Sequence, residues 1–541
     1  MAELIVEQGA YTETSVEPST SIDAETRAAS ERDAAPAAGS EIAFPLSVTV
    51  PAFNALIKPA LVPIPTEQVP VRFSGDGEGV GELTWGQREI LQAMVRQGWI
   101  ALGGVLPLPP GATVQNAADQ LGYMVSRFPS MRTKLRFDAP GNALQEVHGS
   151  GEVMLDVFDL EPGADPDEAA ARIEASYRTR PRDFCAQWPV QMGVLRQAGQ
   201  LTHVIAISCH TVSDGLGMQA LGREVEARLT EPAIGRQQLE LAAWQNSPAG
   251  RRTSDAAIRH MEKALRSVPR RSLPLSGDER DPRHWTGVLR SRALKLALPL
   301  IADRTDADAS AVLMALYATA MGRLGLLNPA VIRPLSSNRF RPGLTNMVSN
   351  LVQSDVCILD AADTTIDEVV RRARQVSMIV RKYSYFDPRA ETALIDRLLR
   401  EARELDPDAQ PWSCLNWAFF NDRRLTPSES ARDQQELEEA RRQSSFDWIE
   451  KKQNPYEPLF LHIDDAEDGV AVMVCTDTRH ISPAGNEALA REMEAAAIEA
   501  AFNADAPTHV TAPAPVASPA NRAEALVPAP SPSTAITLAS S

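Results

Sequence analysis

The sequence predicts an α+β fold built from two large lobes between two polar tails. Three observations lead there. Helix-period and strand-period stretches alternate from about residue 84 to residue 502. A polar, Arg/Ser/Pro-rich stretch at 245–284 interrupts them near the middle. Both ends lack a sustained apolar period. The expected boundaries are a tail at 1–64, a first lobe at 65–284, a second lobe at 285–505 and a Pro/Ala-rich tail at 506–541.

The elements follow in order. Residues 1–64 hold nine acids against three basic residues, and 1–42 read as disordered. The proline-broken apolar run at 43–64 reads equally as tail or as an extended strap. Ile90, Met94, Val95 and Trp99 fall at helical spacing behind Thr84, a candidate N-cap. Val114 to Arg127 is a second amphipathic helix, and Leu144–Val147 and Val153–Phe158 read as strands. Asp165 caps a helix that runs to Tyr177. Leu201–Ser208 is almost wholly apolar, as a strand buried on both faces would be. A helix from Asp214 to Leu229 follows it.

In the second half, Ala293–Leu298 and Ala330–Pro334 read as strands on either side of an apolar helix from Ala309 to Gly325. Val348–Ile358 reads as one long strand or a pair. A helix covers Asp367 to Tyr383. Leu415–Phe420, Leu459–Ile463 and Val470–Cys475 read as strands, and a helix from Gly485 to Phe502 closes the ordered part. The last stretch, 506–541, holds seven prolines and reads as a second disordered tail.

Composition excludes several function classes. With 54 basic and 71 acidic residues the net charge is −17, which disfavours nucleic acid and anionic membrane as partners. No apolar run reaches the ~18 residues of a spanning helix. Met1 to Ala10 carry acids and no base, unlike a secretory leader. The five cysteines, Cys185, Cys209, Cys357, Cys414 and Cys475, are widely spaced with no CxxC pair. That argues against a disulfide framework or structural zinc and points to a reducing cytoplasm. The eight histidines form no metal-binding spacing.

One segment combines groups that could do chemistry: Ser208-Cys209-His210-Thr211-Val212-Ser213-Asp214-Gly215, where the buried strand ends and a helix begins. Near pH 7 an imidazole can exchange a proton, so His210 is the candidate base. A histidine at a strand end is more often structural, however, and Asp214 reads equally as a helix cap or as a group turned back on the turn. Gly215 permits close approach. Neighbouring residues on a strand face opposite ways, so Cys209 cannot share a site with His210 and reads as a small buried apolar residue. Ser213 lies in no G-x-S-x-G elbow; it faces a substrate channel or caps the helix.

These residues carry a resemblance. Cys209 to Gly215 resembles the HHxxxDG motif of the condensation domains of nonribosomal peptide synthetases, within the chloramphenicol acetyltransferase-like acyltransferases. Leu83–Arg88 (LTWGQR) is similar to their opening S-x-A-Q motif, and Phe128–Thr133 (FPSMRT) to H-E-x-L-R-T. Arg333–Arg339 resembles a loop after a second-lobe strand, and Asn346–Val352 the V-G-x-F-V-N-T motif. The order holds over residues 70–505. Cys209 stands for the first His of the pair, Ser349 for a usual Gly, and Gln353 near a usual Thr. The DFGWG motif of plant alcohol acyltransferases is absent.

The resemblance implies two chloramphenicol acetyltransferase-like lobes in a V with a central tunnel and His210 midway along it. There His210 would act as general base or position the nucleophile. Asp214 would be structural, paired with an arginine for which motif order offers Arg339. Gly215 would lend a backbone N–H to a developing oxyanion. The donor would be an acyl or aminoacyl thioester on the phosphopantetheine arm of a carrier protein, the acceptor a small amine or alcohol, with no resident cofactor or metal. No adenylation motif, P-loop or G-G-x-S carrier site accompanies these motifs, so the carrier would be met in trans, as in a free-standing enzyme of natural-product assembly. Arg266, Arg270 and Arg271, or Arg371, Arg372 and Arg374, are candidate docking clusters, although such clusters are commonly solvated faces. A CoA-dependent O-acyltransferase and a catalytically silent scaffold are the competing readings.

Overall fold

A computed structural model describes residues 63–139, 142–230, 235–267, 273–405, 418–426, 429–453 and 458–512. Most of both expected tails lies outside these residues, as do Arg270, Arg271, Cys414 and the first half of the expected Leu415–Phe420 strand.

The first sheet has five strands in the order Glu67–Ser74, Ser150–Leu160, Val190–Gln197, Gln200–Cys209 and Ala101–Pro107. Val190–Gln197 and Gln200–Cys209 form a tight hairpin whose turn residues, Ala198 and Gly199, take φ of 48° and 80°. Two positive φ angles match the right-handed strand twist. The Gln200–Cys209 strand is buried on both faces because successive side chains alternate. Val204 clusters with Leu155 and Val194 of the sheet and with Leu121 and Val125 of the Val114–Arg127 helix. Ile205 and Ile207 cluster with Phe158 of the sheet and with Ile173 and Tyr177 of the Pro166–Thr179 helix. A small sheet of Gly79–Glu82, Asn142–Val147 and Thr133–Ala139 stands beside it.

The second sheet runs in the order Gln353–Ser354, Ala330–Ser336, Ala418–Asp422, Leu459–Ala466, Gly469–Asp477, His284–Ser291 and Ser445–Lys452. Cys357–Leu359 also pairs with Ala330–Ser336. Leu459, Leu461 and Ile463, with Val470, Val472 and Val474, put one face of this sheet into a core shared with the helices Arg292–Thr305, Ala309–Arg323, Ile366–Tyr383 and Pro483–Ala501.

Several sequence expectations are corrected. Ala293–Leu298 is helical, within Arg292–Thr305. Its Ala, Leu and Lys residues are good helix formers, and burial all round erases the helical period. The Ser291 hydroxyl caps it, accepting from Leu294 N–H at 2.9 Å. The strand is the preceding run, His284–Ser291. Val348–Ile358 yields only the two short strands Gln353–Ser354 and Cys357–Leu359. The polar stretch at 245–284 contains a 20-residue helix, Pro248–Ser267. Its Ala257, Met261 and Leu265 pack on Val331, Val356 and Phe386 of the second half. Residues 506–512, expected in the tail, are anchored: Ala506 and Val510 are buried in the second core, and Asp363 N–H donates to the Val510 carbonyl at 2.8 Å.

Candidate functional site

The site is built where the buried Gln200–Cys209 strand stops. The last strand residue, Cys209, pairs with Ala101, and its N–H donates to the Pro189 carbonyl at 2.7 Å. His210 N–H donates to the Ile100 carbonyl at 2.8 Å, and Val212 N–H returns to the Cys209 carbonyl at 2.9 Å. These bonds turn the chain sharply and leave the His210 side chain half-buried beyond the sheet edge.

Asp214 then starts the Gly215–Ala227 helix. Its Oδ1 accepts from Gly217 N–H at 2.8 Å, the ordinary N-cap bond. Its Oδ2 crosses to the second half of the chain, accepting from Arg339 Nη1 at 2.9 Å and Leu351 N–H at 2.8 Å. The Arg339 Nη2 donates onward to the carbonyls of Met347 and Ser349, at 2.8 and 3.1 Å. Asp214 is 1% exposed and Arg339 6%. The clasp therefore works with little screening by water. Burial depresses the Arg339 pKa, against the opposing pull of Asp214.

The segment that Arg339 holds carries Asn350, which sequence reasoning did not single out. Asn350 Nδ2 lies 2.9 Å from His210 Nδ1 and 3.1 Å from the His210 carbonyl oxygen. Asn350 Oδ1 accepts from Val352 N–H at 3.1 Å. Gly86, in the first-lobe helix Trp85–Gln97, lies against this segment: a Cβ there would stand 2.4 Å from the Asn350 carbonyl oxygen. Burial lowers the His210 pKa below the usual imidazole value, with the carbonyls of His210 and Ser213 and the Asp214 charge pulling the other way. Burial thus favours the neutral ring over the charged one.

Cys209 is 1% exposed, its Sγ 3.8 Å from Met94 Sδ, and burial raises its thiol pKa. It is packed away from chemistry. Ser213 neither faces a channel nor caps the helix: it is fully buried, its hydroxyl donates to the Asp214 carbonyl at 3.1 Å, and Asp214 is the cap. Gly215 is the first residue of the helix.

The motif-like segments are structural supports. Thr84 and Gln87 form a reciprocal capping box, with bonds of 3.3 and 3.0 Å. Trp85 packs edge-on to Tyr385 with ring centroids 4.8 Å apart. Arg132, 1% exposed, ties the Asp76 and His148 carbonyls together. The described arginines of the clusters offered as docking sites are paired: Arg266 with Glu262 and Glu401, Arg371 and Arg372 with Glu368, Arg374 with Asp306.

A second polar cluster was also missed. Glu89, three residues beyond Gly86, accepts from Gln353 Nε2 at 3.0 Å. Burial, reinforced by Glu391, raises its pKa to about 7, while Arg333 opposes the shift. Arg333 pairs with Glu391 at 2.7 Å. Among the described residues no cluster of three or more His, Cys, Asp or Glu is arranged to hold a metal ion, and no helix is long and apolar enough to cross a membrane.

No family model and no curated protein matches this sequence. Solved structures do. The chain is similar to a structure describing condensation-domain-mediated chain release from the enacyloxin polyketide synthase, at 17% identity and TM-score 0.59, over 82% of this chain and 86% of that one. It is similar to the first condensation domain of the CDA synthetase, at 16% identity and TM-score 0.59, over 80% and 99%. It is also similar to the epimerization domain from the third module of tyrocidine synthetase B, at 13% identity and TM-score 0.60, over 79% and 98%. The fold is therefore condensation-domain-like, with two chloramphenicol acetyltransferase-like lobes. The same fold serves a domain named for epimerization, so the chemistry must be argued from the site.

Proposed function

We propose that this chain is a condensation-type acyltransferase of natural-product assembly. It moves an acyl or aminoacyl group from the phosphopantetheine thioester of a carrier protein, met in trans, to an amine or alcohol. The observation that supports this reading best is the His210 loop. An interlobe ion pair fixes its frame, and the second lobe reaches across to hold the imidazole itself.

The reaction breaks a thioester C–S bond and forms a C–N or C–O bond. Charge develops on the carbonyl oxygen as the nucleophile attacks. A fixed polar group at that point contributes about 10²–10⁴-fold, and holding donor and acceptor together lowers the barrier further. His210 is that group in this reading, and Asp214 and Arg339 keep it in place without touching substrate. Phosphopantetheine enters as the donor's arm, hence as substrate, and the chemistry requires no resident cofactor. The setting that suits free thiols and a carrier-bound donor is the cytoplasm.

The test is intact-mass measurement of donor discharge. Carrier proteins loaded with a panel of acyl groups are mixed with candidate amines and alcohols, and the same acyl groups are offered as CoA thioesters. Discharge from carriers that falls about 10²-fold or more in His210→Ala is the expected result. Turnover from CoA thioesters alone would replace this reading with a carrier-independent O-acyltransferase. Binding without discharge would leave a scaffold.

A further inference from the structure

The Trp85–Gln97 helix meets the second half of the chain at two positions one turn apart. At the first, Gly86 lies so close that a Cβ would stand 2.4 Å from the Asn350 carbonyl oxygen. At the second, Glu89 Oε2 accepts from Gln353 Nε2 at 3.0 Å. Gly86 and Glu89 are three residues apart on the helix, and Asn350 and Gln353 are three apart on the facing segment. Helix positions i and i+3 share a face and lie about 4.5 Å apart along the axis. Asn350 is the residue whose amide reaches His210, at 2.9 Å. Glu89 therefore stands one rung along from the imidazole contact, on the same seam between the lobes.

The groups around this carboxylate are committed to other partners. Gln353 is fully buried and uses its amide also on the Phe386 carbonyl at 2.9 Å, so it gives Glu89 one neutral hydrogen bond. Arg333 is the cation whose charge reaches Glu89. It is bound to Glu391 at 2.7 Å and to the Ser354 carbonyl at 3.2 Å, and its guanidinium lies over the Phe419 ring. Among the described residues no Lys, Arg or His stands within ion-pair distance of Glu89, and its Oε1 has no hydrogen bond. Glu391 and Asp355, the other carboxylates that act on Arg333, are 8% and 0% exposed. Glu89 is only half-buried, so it is the one of the three that can offer an oxygen to a solute.

A recessed carboxylate without a counter-ion is unfavourable. Burial, reinforced by Glu391, accordingly pushes the Glu89 pKa up to about 7. A ligand cation would supply the missing charge, and hydrogen bonds between charged partners are stronger than neutral ones. We propose that Glu89 determines specificity at the His210 site by binding a cationic group of the substrate, an ammonium or guanidinium other than the attacking atom. The connection to a substrate of His210 rests on the acyl-transfer reading above; the cation site itself does not. Two parts of the reaction carry this chemistry: the α-ammonium of an aminoacyl donor, and a second amine on the acceptor.

The first experiment is calorimetric titration of the full chain at fixed ionic strength. The probe is n-butylammonium chloride, with n-butanol as its uncharged counterpart. The wild type is expected to bind the ammonium saturably and the alcohol not at all. Glu89→Gln keeps an oxygen for the Gln353 amide and removes only the charge, so a purely structural tie between helix and segment would survive it. The variant is expected to bind the ammonium about tenfold or more weaker. Equal affinity in the folded variant overturns the proposal. Absence of saturable ammonium binding in the wild type overturns it whether or not the variant folds.

Transfer is then followed by mass spectrometry with matched pairs: glycyl against acetyl donors on carriers, and putrescine against butylamine as acceptors. The wild type is expected to prefer the cation-bearing member of one pair, and Glu89→Gln to lose that preference by about tenfold or more, chiefly in KM. The pair that shows the effect tells whether donor or acceptor brings the charge. Transfer with no preference in either pair overturns the role in specificity. Absence of any transfer, beside ammonium binding that depends on Glu89, instead removes the acyl-transfer reading and leaves the cation site standing.

Discussion

Replacing Asp214 with Asn is expected to release the His210 loop at a cost of about 3–5 kcal/mol, the range for breaking one partner of a buried ion pair. The bonds at this site lead to the same figure. Asn retains an oxygen for the Gly217 cap. It puts an NH₂ where Oδ2 now accepts from Arg339 Nη1 and Leu351 N–H, at 2.9 and 2.8 Å. Two bonds to a charged acceptor are lost, at about 1.5–3 kcal/mol each, and Arg339 remains buried with carbonyl partners alone. The readout is amide hydrogen exchange at Gly217 and Leu351, whose N–H groups both end on this carboxylate. Since about 1.4 kcal/mol is tenfold, Leu351 should lose about two to three orders of magnitude of protection and Gly217 less, because its cap survives. Arg339→Met should expose the same amides. The double variant should cost less than the sum of the two by about 1–3 kcal/mol. Single costs under about 1 kcal/mol, or strict additivity, would refute the view that this pair sets the loop.

Two further outcomes follow from the same geometry. Gly217→Ala is expected to destabilise the helix start by about 1–3 kcal/mol in thermal or denaturant unfolding, because the new Cβ would stand 2.2 Å from Ser213 Oγ and 2.5 Å from Arg339 Nη2. An uncrowded helical site would gain about 0.5–1 kcal/mol from the same change, so the sign decides the matter. His210 should titrate below the ordinary imidazole range because burial opposes its charge. The unfolded chain then binds a proton near pH 6.5 before the folded chain does, so this residue's contribution is present above that pH and falls as pH drops toward the folded value. His210→Gln should flatten that part of the stability–pH curve, and an unchanged slope would show that His210 is not depressed.

What the sequence revealed was local. Thr84, Asp165 and Asp214 each cap the helix they precede, because a cap is decided by residues within one turn. The apolar strand before His210 was legible because burial on both faces leaves a continuous apolar run. Ala293–Leu298 misled for the same reason: a helix buried all round leaves a similar run, and only Ser291, outside it, marks a helix start. The Pro248–Ser267 helix was hidden by composition, since its apolar residues occupy one narrow stripe among arginines.

The chemically decisive contacts were beyond such reading because they join distant parts of the chain. Asn350 is 140 positions from His210, and Glu89 is 264 from Gln353. A motif can mark His210 as the reactive residue, but it cannot say which nitrogen holds the proton, and the proton's place separates a base from a hydrogen-bond donor. In this chain the amide that meets the ring, Asn350, comes from the second lobe. The same segment, residues 347–351, ends on Arg339 and Asp214 through the carbonyls of Met347 and Ser349 and the Leu351 N–H. The ion pair thus acts on more than the loop that carries His210. It also holds the stretch of chain that presents Asn350 to the ring, so loosening the pair would free the amide as well as the imidazole. The loop and the segment that meets it are held by the same interlobe ion pair.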